Sequence, residues 1–435
     1  MKSSFLSRSL ELAKMTVKIG IKEIQSGNIQ SRLEQARILT QSLSQLKGAA
    51  MKAGQLLSIE LDDYFPPEAA EILSQLQNQG SSISYDVIES ILQKELGAEK
   101  LKRLSDISRH PIASASIAQI HSATFDQKKL AIKIQHPGVP ESIDSDLAII
   151  KKIAVAFCGL TGRQMNLEPM FTEFKNVLTQ ETDFLQEAKY LTLFQEKLSL
   201  LATKTRLKYF VPQYIPSFST EKVLTMSWEE GITLNQWMRS MPSASQRQQL
   251  AQLILDLYHL EFYEWGLVQT DPNFSNFLVR ELTDSGSHPA KEPEIGLVLL
   301  DFGATRIYDK TFVNNYIQLL KSITDPNSQK IVNTAIEFGI LDDRESDESK
   351  AYFVEMMKVA AEPFFSTHDF HFSDKDYAVR SKEIIRKFSG SLKYSPPPHQ
   401  ILFLHRKLGG IFSLLKKLEV KMDVRPYWER IIHSV

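Results

Sequence analysis

Two short polar segments, thirty residues apart, constrain this chain more than any other feature. The first contains Asp271 and Asn276, five positions apart in the run Thr-Asp-Pro-Asn-Phe-Ser-Asn. The second is Asp301, which ends an apolar strand-like run and is followed by Phe and Gly. Carboxylate and amide oxygens are the ligands that Mg²⁺ prefers. Thirty residues are enough for one strand, a hairpin connection and its return strand, so the two segments together indicate a metal-dependent site.

The Asp-to-Asn spacing is that of a kinase catalytic loop, in which Asp meets the acceptor or water and Asn takes a metal. Upstream, the run Leu-Ala-Ile-Lys ends at Lys133, in the position of the strand lysine that contacts nucleotide phosphates. Its candidate carboxylate is Glu187, on a helix predicted from Thr179 to Phe194, with Asp183 one turn earlier on the same face. A solvated lysine is the common alternative for Lys133 alone, but four elements in kinase order predict nucleotide binding.

Several features differ from an ordinary protein kinase. The loop before the lysine, Pro111–Gln119, contains no glycine, whereas a phosphate-covering loop is usually glycine-rich. No Arg precedes Asp271, and Asn273 stands where a phosphate-contacting Lys would be. No Ala-Pro-Glu follows Gly303, so a peptide-docking platform is not expected. These differences predict nucleotide binding with poor phosphorylation of proteins.

Hydrophobic periodicity divides the chain into three parts. Residues 1–104 are predicted as a helical extension, 105–230 as a small β-rich lobe with a helical insertion, and 231–435 as a helical lobe. The expected fold class is therefore α+β, a bilobal protein-kinase-like fold with an N-terminal helical extension. Met226 ends a strand-like run where such a fold meets adenine at its hinge, although a core methionine explains this residue nearly as well.

Composition excludes several other classes of protein. Lys plus Arg number 51 and Asp plus Glu 52, whereas a nucleic-acid partner usually requires a basic surface, so none is expected. Cys158 is the single cysteine, which excludes an internal disulfide and a cysteine metal site. No apolar run reaches the ~20 residues of a membrane-spanning helix. Residues 1–24 are amphipathic, which fits a helix packed on the body, a membrane-surface helix or an organellar presequence.

Three further motifs point to a family. They are a Lys-x-Gly-Gln motif in the helical extension, an alanine-rich loop in place of the glycine-rich one, and a Glu-x-Asp motif that begins six residues before Glu187. With these motifs, over residues 35–310, the chain resembles the UbiB family of atypical protein-kinase-like proteins, associated with ubiquinone biosynthesis and related lipid metabolism. The matching residues are Lys52, Gly54 and Gln55; Ala113, Ser114, Ala115 and Ser116; and Glu181 and Asp183.

The resemblance implies a position for the N-terminal motif. Lys52 and Gln55 would lie over the active site, with Lys52 near Glu181 and Asp183, where they would block a protein substrate. The loop departs from the family pattern at Ser114, and again at Ala118, where glycine is usual. These departures leave the preference between ATP and ADP open.

The resemblance also implies a cofactor and a setting. Mg²⁺ would be held by Asn276 and Asp301, and a slow ATPase activity would be stimulated by membranes or lipid-like compounds. The expected partners are a nucleotide and lipids or lipid-biosynthesis proteins at a membrane surface. The expected location is the cytoplasm, peripheral to the membrane, or the mitochondrial matrix in a eukaryote.

Three functions remain open from the sequence. The first is a UbiB-type ATPase or atypical small-molecule kinase, in which Asp271 orients the nucleophile while Lys133 and Glu187 hold phosphates. The second is a non-catalytic nucleotide-binding scaffold for a lipid-biosynthesis complex. The third is a true protein kinase, which the missing docking platform disfavours.

Overall fold

A computed structural model describes residues 48–49, 52–54, 83–160, 167–202, 208–271, 273–282, 294–395 and 399–433. These residues form two compact units. The chain passes from the first unit to the second after Phe184, returns to the first for one short segment, and then continues in the second. The first unit comprises Met1–Phe184 with Ile215–Met226, and the second Leu185–Tyr214 with Ser227–Val435, as far as each range is described. The predicted division at residues 104 and 230 stays a prediction.

Short strands dominate the middle of the chain, and helices dominate its C-terminal part. In chain order the elements are α1 (Tyr85–Lys102), β1 (Ala113–Ser114), β2 (Ala118–Phe125), β3 (Lys128–Gln135), α2 (Val139–Leu160), α3 (Glu168–Glu181), α4 (Phe184–Ala202), β4 (Tyr209–Phe210), β5 (Val223–Ser227), β6 (Ile232–Thr233), α5 (Leu234–Arg239), α6 (Ala244–His259), β7 (Leu267–Gln269), β8 (Phe277–Leu282), β9 (Glu294–Leu299), β10 (Thr305–Ile307), α7 (Lys310–Ser322), α8 (Gln329–Glu337), α9 (Asp347–Phe365), β11 (Phe370–His371), α10 (Lys375–Ser391), α11 (His399–Lys417), β12 (Lys421–Met422) and α12 (Arg425–Ile432).

The first unit is built on a four-stranded sheet in the order β1-β2-β3-β5. Strands β2 and β3 pair antiparallel along their full length through a two-residue turn, Asp126-Gln127. Both turn residues have positive φ, 47° and 61°, which is the backbone of a tight hairpin turn whose twist matches the strands. One face of this sheet packs on α1, where Ile88 and Leu92 meet Ile132 in a fully buried core.

The predicted continuous helix from Thr179 to Phe194 is wrong. The helix α3 ends at Glu181 and α4 begins at Phe184, so Asp183 does not share a helix face with Glu187. The carbonyl of Thr182 accepts a hydrogen bond of 2.7 Å from Gln135 Nε2 instead of continuing the helical pattern. A side chain from strand β3 thus turns the chain at this point.

The second unit contains the predicted hairpin between the two polar segments. Strands β8 and β9 pair antiparallel over six residues each, and β4 and β6 complete the sheet in the order β4-β9-β8-β6. Helix α6 buries Leu250, Leu253, Ile254 and Leu257. No helix within the described ranges combines the length and apolar character that a membrane crossing requires.

A glycine lies directly before strand β7, which leads to the candidate catalytic loop. Gly266 has φ +61°, and a Cβ atom there would stand 2.4 Å from the carbonyl oxygen of Tyr308. The same two residues are joined by a hydrogen bond of 2.7 Å from the Tyr308 N–H to the Gly266 carbonyl. Only glycine therefore fits this approach of two backbone segments.

We expect Gly266→Ala to lower the free energy of unfolding by about 2–4 kcal/mol, because it combines a strained backbone with a backbone clash. The matched control is Gly390→Ala in α10, where a Cβ would meet nothing within 4 Å. Removing a helical glycine there should be neutral or stabilising by up to ~1 kcal/mol. Urea unfolding measures the change in the free energy of unfolding for both variants. Equal effects of the two substitutions would contradict a specific need for glycine at position 266.

Candidate active site

The candidate catalytic loop is anchored at the residue that precedes Asp271. Thr270 donates two hydrogen bonds to the carbonyl of Ala304, of 3.2 Å from its backbone N–H and 2.7 Å from its hydroxyl. Before it, strand β7 pairs with β10, with Gln269 opposite Thr305. The loop therefore starts from a fixed point next to the segment that follows Gly303.

A hydrogen bond links the two polar residues of the loop. Asn276 Nδ2 donates to Asp271 Oδ2 over 3.1 Å, and the Asn276 carbonyl accepts from the Leu300 N–H over 3.0 Å. The loop is thus tied to the residue immediately before Asp301. The spacing in the sequence and the pairing of β8 with β9 bring these three polar side chains to one end of the hairpin.

The Asp301 turn lies against helix α4. Asp301 Oδ1 accepts a hydrogen bond of 2.9 Å from the Gly303 N–H. A Cβ atom at Gly303 would stand 3.3 Å from Asp301 Oδ1 and 3.5 Å from Glu187 Oε2, so both carboxylates lie beside this glycine. The buried ring of Phe302 contacts Phe194 of the same helix, with ring centroids 4.9 Å apart. Aromatic packing therefore brings Glu187 to the turn.

The oxygen ligands of this unit fit a magnesium ion that arrives with a nucleotide. Asn276 and Asp301 offer an amide and a carboxylate oxygen, which are hard ligands suited to Mg²⁺. Within the described ranges, no group of three or more His, Cys, Asp and Glu side chains is arranged for a metal. Two protein ligands suit Mg²⁺ in nucleotide sites, because phosphates and water complete its coordination.

The candidate phosphate-binding lysine belongs to the first unit. Lys133 lies on β3 opposite Ile120 and is 7% exposed. Its Nζ lies 5.3 Å from the centroid of the Phe184 ring, a distance at which an ammonium and an aromatic face attract each other. Lys133 and Glu187 belong to different units, and their pairing stays a prediction.

The alanine-rich loop turns without glycine. Ala113 pairs with Ile120, and the Ala115 N–H donates to the Ala118 carbonyl over 2.8 Å. No residue from 113 to 118 has a positive φ. Ala113, Ser114 and Ala115 are exposed, and Ser116 is half-buried. The turn therefore does not need the backbone freedom of glycine, while its exposed amides and hydroxyls remain suited to a phosphate.

Met226 is buried near the end of strand β5. It is also the last residue of the first unit, because Ser227 already belongs to the second. Its contact with adenine stays a prediction.

The N-terminal motif forms a close contact with the Glu-x-Asp motif. Lys52 Nζ lies 2.7 Å from Glu181 Oε1, and the two side chains are 13% and 11% exposed. Gly54 is buried, and a Cβ atom at Gly48 would stand 2.7 Å from Val139 Cγ2. Asp183 follows two residues after Glu181, while Gln55 lies outside the described residues.

One charged residue of the site was not foreseen from the sequence. Arg406 of helix α11 places Nη2 3.6 Å from Asp271 Oδ1, and both side chains are largely buried. It lies 135 residues after the aspartate, so no local spacing could indicate it. The one signal was the run His-Arg-Lys inside an otherwise apolar helix, since charges in an apolar stripe usually have partners.

Comparison with solved structures identifies the fold. A protein of Mycobacterium tuberculosis, Rv3197, solved in complex with erythromycin, superposes with a TM-score of 0.61 and covers 92% of this chain and 96% of its own. The two sequences are 22% identical, so the likeness concerns the fold alone. Residues 75–335 match the family model of the ABC1 atypical kinase-like domain, and the expected protein-kinase-like fold is confirmed.

This match covers more than half of the chain, which therefore belongs to the ABC1 atypical kinase-like family, as the UbiB resemblance indicated. Among curated relatives, the mitochondrial atypical kinase COQ8 of Saccharomyces cerevisiae is 31% identical over 424 residues, 95% of this chain and 80% of that protein. The mitochondrial atypical kinase coq-8 of Caenorhabditis elegans is 30% identical over 88% of this chain. The chain spans only 49% of that nematode protein and 60% of COQ8 from Schizosaccharomyces pombe.

The contact between Lys52 and Glu181 can be tested by a double-mutant cycle with Lys52→Met and Glu181→Gln. Because both side chains are mostly buried, we expect a coupling of about 1–3 kcal/mol in urea unfolding. The control pair is Lys175 and Asp144, 2.6 Å apart but 52% and 76% exposed, which should couple by less than ~1 kcal/mol. Equal coupling in the two pairs would show that the N-terminal contact adds nothing beyond a surface ion pair.

Proposed function

We propose that this chain is a Mg²⁺-dependent, ATP-binding atypical kinase or ATPase of the UbiB type, which supports ubiquinone or other isoprenoid-lipid metabolism at a membrane surface. The observation that carries the proposal is the cluster in the second unit. There Asp271 is hydrogen-bonded to Asn276, and the Asp301 turn lies beside Glu187. Carboxylates that lie close together repel each other, and a cation relieves this repulsion. Such a cluster is suited to a metal and its phosphate ligand.

Each residue has a role in phosphoryl transfer. Asp271 orients the nucleophile, either water or a hydroxyl of a small molecule, and accepts its proton as the bond to phosphorus forms. Asn276 and Asp301 would hold Mg²⁺, and the ion when bound would supply positive charge next to the phosphates. Lys133 contacts the phosphates and Glu187 orients this lysine.

The remaining residues bind the nucleotide. The alanine-rich loop from Ala113 to Ser116 covers the phosphates with backbone amides and hydroxyls, and Met226 lies beside the adenine. The absence of glycine from this loop leaves ATP and ADP as the two candidate nucleotides. Arg406 contributes a fixed positive charge next to Asp271, which offsets the charge of the clustered carboxylates.

The N-terminal extension excludes protein substrates in this proposal. Lys52 and Gly54 belong to a segment held by Glu181, with Asp183 close by in the sequence, and Gln55 is the last residue of the same sequence motif. Support comes from the ion pair of 2.7 Å between Lys52 and Glu181. A segment fixed by a buried ion pair is costly to displace, because breaking the pair leaves a charge without its partner.

The membrane setting rests on the family resemblance and on the amphipathic character of residues 1–24. The partners are then lipids or lipid-biosynthesis proteins at that surface. Relatives named as mitochondrial favour the mitochondrial matrix if the source is a eukaryote, and the cytoplasmic side of the membrane otherwise.

A second candidate is a nucleotide-binding scaffold without catalysis. The observation that favours it is the phosphate loop, which has no glycine and a single turn without positive φ. Asn273 also replaces the usual lysine of the catalytic loop, so one phosphate contact of active kinases is absent. Nucleotide binding would then set the shape that partner proteins recognise.

The deciding measurement is Mg²⁺-dependent phosphate release from ATP by the full chain, with and without anionic liposomes. We expect Asp301→Asn to reduce the turnover by at least about 100-fold, because it removes a metal ligand and its charge. Liposomes should raise the turnover of the wild type. The control is Asp343→Asn, whose side chain is 84% exposed in a surface pair with Lys350 and should leave turnover unchanged.

Two other outcomes would redirect the assignment. If nucleotide raises the melting temperature but no phosphate appears under any condition, the scaffold becomes the leading function. If the wild type transfers phosphate to a protein in trans, the proposed block by the N-terminal extension is wrong.

A further inference from the structure

A buried ion pair in the second unit joins helix α11 to the end of helix α6. Lys407 Nζ lies 3.1 Å from Glu261 Oε2, and the two side chains are 4% and 0% exposed. A buried pair contributes little net stability compared with apolar residues of the same volume, because both charges must be taken out of water. Stability is therefore a weak explanation for two charges in this core.

The ion pair contacts the strand that leads to the candidate catalytic loop. Lys407 Nζ also donates to Gln269 Oε1 over 3.3 Å, and the backbone N–H of Gln269 lies close enough to lower the pKa of Glu261. Gln269 is the last residue of β7, two positions before Asp271. The ion pair thus interacts with both the side chain and the backbone of Gln269.

Glu261 lies in an irregular segment. Residues Leu260–Glu264 form a π-helical turn after α6, closed by a hydrogen bond of 2.9 Å from the Trp265 N–H to the Leu260 carbonyl. Such turns carry one extra residue and occur frequently at functional sites. The carboxylate of Glu261 is fully buried in this segment, with Lys407 as its charged neighbour. A buried group of this kind requires an explanation beyond packing.

The neighbour of Lys407 on helix α11 supplies that explanation. Arg406 reaches Asp271, with 3.6 Å between Nη2 and Oδ1, while Lys407 reaches the end of the preceding strand. Two consecutive residues of helix α11 therefore contact the candidate catalytic loop and the end of strand β7, which precedes that loop. This helix lies beyond residues 75–335, the part of the chain that matches the kinase-like domain.

We propose that Lys407 and Glu261 are positioning residues, which fix helix α11 against strand β7 so that Arg406 meets Asp271 and holds its carboxylate for the nucleophile. Their contact with the reaction is indirect, through Arg406 and Gln269. The proposal rests on the function proposed above, because a catalytic role for Asp271 gives the arrangement its purpose.

The first test is Lys407→Met in the full chain, with kcat and KM for ATP hydrolysis measured separately. We expect kcat to fall by about 10- to 100-fold, because small displacements of a catalytic group are costly, while KM and nucleotide affinity change by less than about 3-fold. Lys407→Arg should restore part of the lost turnover. The matched control is Lys416→Met, an exposed lysine of the same helix. Unchanged kcat in Lys407→Met would overturn the proposal.

The route through Arg406 is tested by a double mutant. If Lys407 acts by holding Arg406, then Lys407→Met should reduce kcat by less than about 3-fold in an Arg406→Met background, because interacting residues are not additive. Additive losses would show that Lys407 acts by another route.

The pH dependence gives a second readout. Burial raises the pKa of Glu261, and the charge of Lys407 opposes this. In Lys407→Met the pKa of Glu261 should rise further, so the loss of stability should be small near pH 5 and grow as the pH rises towards 8. Nearby Tyr258 and Tyr209 have pKa values raised far above this range by burial, so they stay neutral. A double variant with Glu261→Gln should abolish the pH dependence.

A variant with both charges removed distinguishes a positioning role of the ion pair from a contribution to the stability of the fold. Lys407→Met with Glu261→Met replaces the pair by apolar side chains, a change that buried ion pairs often tolerate in stability. If this variant is folded and binds nucleotide, a kcat lowered by at least about 10-fold supports a positioning role. A kcat within about 3-fold of the wild type assigns the pair to the fold alone and overturns the proposal.

Hydrogen exchange separates failure of this proposal from failure of the proposed function. If the wild type hydrolyses no ATP, the exchange rate of the Thr270 amide, which donates to Ala304, still reports the position of the loop. We expect this rate to rise by at least about 10-fold in Lys407→Met but not in Lys416→Met. No difference between the two variants would overturn the positioning role whatever the activity.

Discussion

The second unit depends on the antiparallel pairing of strands β8 and β9. Its register, from Phe277 opposite Leu299 to Leu282 opposite Glu294, places the residues just outside the hairpin next to each other. The hydrogen bond from the Leu300 N–H to the Asn276 carbonyl continues this register by one step. A shift by one residue would turn every side chain of the strand to the other face and separate Asn276 from Asp301. A metal site at this end of the hairpin therefore requires the pairing.

Two helices complete the cluster by different physical means. Helix α4 is held on the Asp301 turn by the buried contact between Phe194 and Phe302, and this packing carries Glu187 to the turn. Helix α11 is held through charges, with Arg406 at Asp271 and Lys407 among buried polar groups. Apolar packing tolerates small shifts of a helix, whereas a buried ion pair requires a definite geometry. The position of helix α11 is therefore constrained more tightly than that of helix α4.

The first unit shows how unusual residues fit a kinase-like frame. Its alanine-rich loop turns within ordinary backbone angles, so the turn itself does not require glycine. Its helical segment around Lys52 reaches Glu181, at the end of α3, in an ion pair that is mostly buried. The break after Glu181, which follows from the bond between Gln135 and Thr182, lies directly beside this contact. The irregular chain path and the N-terminal contact are thus parts of one local arrangement.

Features that depend on neighbours along the chain could be predicted from the sequence alone. The spacing of Asp271 and Asn276 and the hairpin before Asp301 follow from turn chemistry and strand periodicity, which are local. The break between α3 and α4 was missed because a side chain from β3 overrides the helical propensity there. The grouping of Arg406, Lys407 and Glu261 arises from the folded chain. Their contacts join residues more than a hundred positions apart. A buried charge needs a partner, but which residue becomes that partner depends on tertiary packing and not on any local sequence pattern.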